Sequence, residues 1–310
     1  MLKPIYPLLL TLLCCTTLYS QKASDTSAQL FEPALISTKY PNRDIAISAD
    51  GNEVFYTLQS YKREISVIMR LTKVKGKWSK PQVAPFSGQY SDLEPAFSPD
   101  GTRLYFVSNR SADGNTKKDY DIWYVERNKD TWGEPKSIGS PINTDMNEFY
   151  PSVTSNGDLY FTAEYEGNKG KEDIYVSRLT DGKYSKPESI SEAVNSETYE
   201  FNAFIAPDES YILFTSYGRS DDMGGGDLYI SKKGEQGEWL PAHRLSNAVN
   251  STALDYCPFV SADGKYLYFT SNRSAIKQAK DYQTIVDMME SVENGFDNVY
   301  RISWDKILSK

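Results

Sequence analysis

The residues best suited to chemistry in this chain of 310 residues recur at one place: Asn42, Asp92, Glu148, Glu200 and Asp255, each eight positions before an Asp or Asn that opens a turn. Aromatic residues stand beside them: Tyr90, Phe149, Tyr150, Tyr199, Phe201 and Tyr256. Brought together, acids and rings of this kind would line a funnel able to hold a cation, a sugar or a basic segment of a partner. Two carboxylates, one ionised and one protonated and roughly 5–9 Å apart, would also suit glycoside hydrolysis, with Asp92, Glu94, Glu148, Glu200 and Asp255 as candidates. The competing reading is structural: each carboxylate accepts hydrogen bonds from the loop before it, where Asn143, Asn195 and Asn250 also recur. Recurrence favours the structural role, because folding needs repeat in every unit whereas catalysis needs asymmetry.

Other chemistries have little material. A single histidine, His243, and three cysteines leave no set for His-dependent catalysis or zinc, so neither cofactor nor metal is expected; a metal held by the acidic ring remains a minor alternative. The net charge is −8 with no long Lys/Arg block, which argues against nucleic acid, since phosphate neutralisation needs a basic patch.

The elements that must position these residues follow from a repeated phrase. Ser98-Pro99-Asp100-Gly101 precedes Leu104-Tyr105-Phe106-Val107, and related phrases surround Asp50, Asn156, Asp208 and Asp263. Their spacings of 50, 56, 52 and 55 residues fall in the range of propeller repeats. Asp-Gly between apolar runs is a hairpin turn, so each phrase joins two antiparallel strands. A third strand follows, as in Asp121-Ile122-Trp123-Tyr124, and a fourth is expected to start at an aromatic residue shortly before a proline, as in Trp78-Ser79-Lys80-Pro81. The fifth repeat lacks a fourth strand, and residues 31–36 should supply it from the other end of the chain. The expectation is an all-β, five-bladed β-propeller of four-stranded blades, closed by an N-terminal strand, with one helical insertion in the last blade.

Phe97-Ser98-Pro99-Asp100-Gly101 with Leu104-Tyr105-Phe106-Val107-Ser108-Asn109-Arg110 resembles the TolB-type, WD40-like repeat of exported bacterial envelope proteins. Ser271-Asn272-Arg273 repeats its ending, and Gly224-Gly225-Gly226-Asp227 resembles the family's lead into the third strand. The resemblance spans 31–304 and implies binding and assembly in the cell envelope rather than catalysis.

Residues 1–20 read as a signal peptide, with an apolar run to Leu13 and a small residue, Ser20, at the cleavage point; Cys14 and Cys15 offer lipidation as the alternative. Residues 21–30 read as a short linker and 31–310 as the propeller. After cleavage only Cys257 remains, so no intramolecular disulfide is expected; it reads as a small buried residue. Arg110, Arg219 and Arg273 at the ends of second strands, and Asp121, Asp173, Asp227 and Asp297 at the starts of third strands, could grip a ligand at the rim, but as a repeating motif they read as intra-blade ion pairs or turn hydrogen bonds, and His243 reads as surface on an outer edge strand.

Long loops between second and third strands mark one face as the binding surface. The longest, 274–296, carries apolar residues at helical spacing, including Tyr282, Ile285 and Met289, and predicts an amphipathic helix that packs on the rim or docks a partner. The resulting expectation is a non-catalytic envelope binding or scaffold protein, periplasmic or outer-membrane-associated. Its partner is an envelope protein, or a glycan or peptidoglycan, met through Asp92, Glu148, Tyr150, Tyr199, Glu200, Asp255 and Tyr256 at the funnel mouth. Membrane contact is expected only through a lipid anchor, and a propeller glycoside hydrolase is the alternative.

Overall fold

A computed structural model describes residues 27–111 and 119–308; the expected leader lies outside them. Five antiparallel sheets follow one another around an axis, each built from an inner strand, two further strands and a short outer one. The inner strands are Asn42–Ile47, Asp92–Phe97, Glu148–Val153, Tyr199–Ile205 and Asp255–Val260, in blades 1 to 5.

The repeated phrase forms this structure through its hydroxyl and carboxylate. Ser98 Oγ donates to Asp100 Oδ1 at 2.6 Å and accepts from Arg103 N at 2.9 Å, while Asp100 accepts from Thr102 N at 3.0 Å. Gly101 supplies the left-handed residue the turn needs, at φ 69°. In blade 4 Glu209 occupies that place at φ 58°, its carboxylate held by Tyr160 and Arg178.

Alternation then sorts the strand that follows. Leu104 and Phe106 face blade 1, in a cluster with Phe55 and Ile68. Tyr105 faces blade 3, beside Leu159 and Phe161. The same split recurs at the seams between blades 3 and 4, 4 and 5, and 5 and 1. Each buried Leu or Phe of the phrase contributes roughly 1.5–3 kcal/mol, so the seams are the cores of the protein.

Two strand boundaries differ from expectation. The closing strand is Gln29–Leu30, paired with Tyr300 and Arg301, so it starts within the expected linker; residues 31–36 instead form a turn. Pro33 lacks an N–H to donate, and Glu32 and Ala34 take φ 44° and 69°, two left-handed residues around it that interrupt a regular ladder. Phe31 and Ile36 nevertheless plug the seam against Tyr268 and Val299. Similarly, the aromatics Trp78, Trp132 and Tyr184 sit on small hairpins that extend the third strand or follow it. The outer strands begin beyond each proline, at Gln82–Val83, Lys136–Ser137, Glu188–Ser189 and His243–Arg244, because proline cannot join the ladder.

The insertion contains one helix, α1, Tyr282–Met289, shorter than the periodicity suggested. Asp281 caps it by accepting from Thr284 N at 2.9 Å, and none of its residues is buried. A second short helix, α2, spans Asp305–Leu308. No helix of the described residues is long and apolar enough to cross a membrane.

Candidate functional site: the axial ring and the loop-side cavity

Asp92, Glu148, Glu200 and Asp255 open or nearly open their inner strands and are all fully buried. The sequence placed them at the funnel mouth; the structure seats them one layer back, inside the blade walls. Asp92 accepts from Ser87 Oγ at 2.8 Å, Ser108 Oγ at 2.6 Å and Arg110 Nη2 at 2.7 Å. Arg219 reaches Glu200 at 3.0 Å and Arg273 reaches Asp255 at 2.6 Å in the same way. Each arginine also donates to a carbonyl of the preceding loop, Phe86, Val194 or Val249, and lies over Phe106, Phe214 or Phe269. Acid and arginine therefore tie the loop face of a blade to its second strand.

Two blades depart from this lock. In blade 3 Tyr165 replaces the arginine, its hydroxyl donating to Ile142 O at 2.9 Å. Glu148 is left with Thr144 and the Tyr165 hydroxyl, without a cation, and burial pushes its carboxyl up to about 7. In blade 1 acid, serine and arginine are replaced together by Asn42, Leu58 and Ser60. The recurring asparagines Asn143, Asn195 and Asn250 bond the amide and carbonyl of Ile122, Ile174 and Leu228. Asp173 and Asp227 accept from loop amides of Lys169 and Met223. In blade 5 it is Asn298, not Asp297, that starts the third strand. Burial lifts Asp227 to about 6 and raises Asp297.

The sequence reading did not assemble a second ring. Every inner strand bulges two residues beyond its lock position, and the residue there is left-handed: Asp44, Glu94, Tyr150, Asn202 and Cys257, with φ between 49° and 57°. Their side chains meet on the axis. Asn202 Nδ2 of blade 4 lies 3.3 Å from Glu94 Oε1 of blade 2, and Cys257 Sγ donates to Asp44 Oδ1 at 2.8 Å. Tyr150 OH donates to Pro258 O at 2.9 Å. Arg43, one residue before the ring, donates to Asp44 at 2.6 Å and to Glu94 at 2.8 Å. Burial raises Glu94 above the ordinary carboxylate range against the pull of Arg43, and raises the Cys257 thiol as well.

Second-strand threonines hold this ring in place. Thr57, Thr162 and Thr270 accept the ring amides of Glu94, Asn202 and Asp44 at 3.1, 3.1 and 3.2 Å. In blade 2 the equivalent residue is Val107, and the Tyr150 amide turns to Glu94 Oε2 at 2.7 Å instead. A clue was present in the sequence: three of the five ring residues precede proline, Pro95, Pro151 and Pro258, where a bulge spares the ladder a donor.

The ring plugs the channel between two cavities. On the turn side lies an apolar pocket of about 90 Å³, walled by residues such as Ile45, Phe97, Val153 and Phe259. On the loop side a cavity of about 350 Å³ is walled by all five blades. Arg43, Gln59 and Arg63 come from blade 1, Tyr120 from blade 2, and Phe149 and Glu172 from blade 3. Tyr199 and Phe201 of blade 4 and Tyr256 of blade 5 complete it. Of the predicted site residues, then, Tyr199 and Tyr256 reach this cavity, and Tyr150 lies in the ring beneath it. Tyr282 and Met289 of the insertion are 81% and 63% exposed, and Ile285 is also exposed.

No family model and no curated protein matches the chain. Solved structures share its architecture. A TolB-like protein of Agrobacterium tumefaciens is 15% identical over 85% of this chain and 90% of its own, with a TM-score of 0.50. The catalytic domain of the Coprinopsis cinerea GH62 α-L-arabinofuranosidase is 10% identical over 91% and 98%, with a TM-score of 0.51. CoXyl43, a GH43 β-xylosidase/α-arabinofuranosidase from a compost microbial metagenome, is 10% identical over 89% and 94%, with a TM-score of 0.50. The likeness is one of fold: this chain is a five-bladed propeller similar in architecture to both TolB-like and glycosidase propellers.

Proposed function

We propose that the protein is a non-catalytic recognition module of the TolB-type repeat group, exported to the cell envelope, which engages a protein partner or an envelope glycan through its loop face. The observation that carries this reading is the fate of the carboxylates. The four recurring acids are fully buried and bonded to their own loops, which leaves them no substrate to touch. Glu94, the remaining hydrolase candidate of the sequence, receives Arg43, Asn202 and the Tyr150 amide. A glycosidase needs one carboxyl free to give a proton and another free to take one or attack, and these acids are committed elsewhere. Export by the 1–20 leader, with cleavage at Ser20 or lipidation at Cys14 or Cys15, belongs to the same proposal.

The loop face also carries exposed apolar residues suited to a protein partner. Tyr61, 74% exposed, packs its ring 5.4 Å from Phe296 at the base of the insertion, whose helix α1 exposes Tyr282, Ile285 and Met289. Photocrosslinkers placed at Tyr61, Tyr282 and Met289 should give adducts in envelope fractions, while one at His243 on the outer edge gives none. Turnover of glycans that Glu94→Gln abolishes would defeat the reading.

A further inference from the structure

We propose that the apolar well on the turn side of the axial ring is a binding site for a small, largely apolar molecule that carries one hydrogen-bond acceptor, such as a cyclic ketone. The site lies on the face opposite the loops and is independent of the recognition reading above.

The walls are apolar and partly open. All five blades contribute to them, and Ile47, Phe97, Phe204 and Phe259 are only half-buried there although each also packs into a seam. Ala49, Pro207 and Ala262, from three of the hairpin turns, are exposed, so the well communicates with solvent. Concave apolar surface of this kind gains free energy when an apolar body replaces the water against it.

The same walls hold water poorly. Five of the lining residues, Pro95, Pro99, Pro151, Pro207 and Pro258, have no N–H to offer. Of the polar side chains that line the well, Ser98 is spent on Asp100 and Arg103, and Tyr150 gives its hydroxyl proton to Pro258 O. Glu94 accepts from Arg43, Asn202 and the Tyr150 amide. Ser152 is the exception. It is 7% exposed, its Oγ accepts from Ile205 N at 2.9 Å, and its own proton meets no acceptor among the described residues. An ordered water needs several polar partners, whereas these side chains leave one unspent donor. One acceptor on an apolar body matches that wall, the acceptor taking the Ser152 proton and the body covering the hydrocarbon. An apolar cavity of about 150 Å³ takes benzene, so a well of about 90 Å³ suits about four to six non-hydrogen atoms.

The test is a saturation-transfer NMR titration of the full chain with cyclopentanone, its hydrocarbon isostere methylenecyclopentane, glycerol and N-acetyl-leucine methylamide. Cyclopentanone and methylenecyclopentane should bind saturably with Kd on the order of 1 mM, and glycerol should not bind. Ser152→Ala should weaken cyclopentanone about three- to tenfold, the factor of one hydrogen bond, and leave the hydrocarbon's affinity unchanged, which separates a lost hydrogen bond from a disturbed wall. Ala96→Leu, which fills the well from its half-buried wall, should abolish binding of both without lowering the melting temperature. Absence of saturable cyclopentanone binding, equal binding of glycerol, an unchanged ketone affinity in Ser152→Ala, or binding retained in folded Ala96→Leu would overturn the assignment. Tighter binding of N-acetyl-leucine methylamide than of either small molecule would overturn it in favour of a partner's apolar side chain.

Discussion

Arg43 Nη2 donates to Glu94 Oε1 at 2.8 Å, joining blades 1 and 2 on the propeller axis where both side chains are at least nine-tenths buried. Breaking such a pair from one side strands a charge. Arg43→Met should destabilise the protein by about 3–5 kcal/mol in denaturant unfolding, and Arg43→Met combined with Asp44→Asn and Glu94→Gln should recover a good part of the loss.

The ring amides make a separate prediction. Thr57→Val removes the acceptor of the Glu94 amide and should cost about 1–3 kcal/mol, the range for a buried donor left unpaired. Val107→Thr should cost less, because the Tyr150 amide above it already has Glu94 as its acceptor. Unfolding midpoints of the two variants would rank them, and equal losses would count against the role given to the threonines.

Blade 3 should carry a pH dependence of its own. Glu148 titrates near about 7 in the folded protein, above its ordinary range near 4.5, through burial without an arginine. Its contribution to stability is fully present below pH 4.5 and is lost as pH rises through about 7. Glu148→Gln should therefore flatten the fall in stability between pH 5 and pH 8, and Tyr165→Arg, which restores the cation found in blades 2, 4 and 5, should do the same. Melting curves at the two pH values measure both.

The insertion should be removable. No residue of α1 is buried, and its base is closed below it by the Ser274 to Asn294 bridge and the Ala275 amide on Glu293 O at 2.9 Å. Replacing 277–291 with a short Gly/Ser link should cost no more than about 1 kcal/mol, since surface changes away from packed features are small. An unfolded product would show that the helix packs rather than docks.

The sequence by itself determined the architecture. Its hairpin phrase alternates Leu and Phe toward one neighbour and Tyr toward the other, and a period of two leaves only one way to stack such sheets. The lock was legible only in part: recurrence marked the acids and the arginines as structural, but it is the structure that pairs Arg110 with Asp92, 18 residues away, rather than with a third-strand aspartate. Strand boundaries near prolines were less legible, because an aromatic such as Trp78 reads equally well on a hairpin tip and on an edge strand. What only the tertiary structure decided is the axial ring. Asn202 and Glu94 are 108 residues apart and sit in blades that are not neighbours, so no local pattern links them. They meet because five bulges turn one left-handed residue each toward a common axis, and that axis exists only once the ring of blades is closed. The same closure gathers Gln59, Glu172 and Tyr256 from three blades into one cavity. Tyr256 belongs to the aromatics that recur beside the acids, but Gln59 and Glu172 repeat in no motif, which is why the sequence points to the repeating positions first while the structure adds residues that differ from blade to blade.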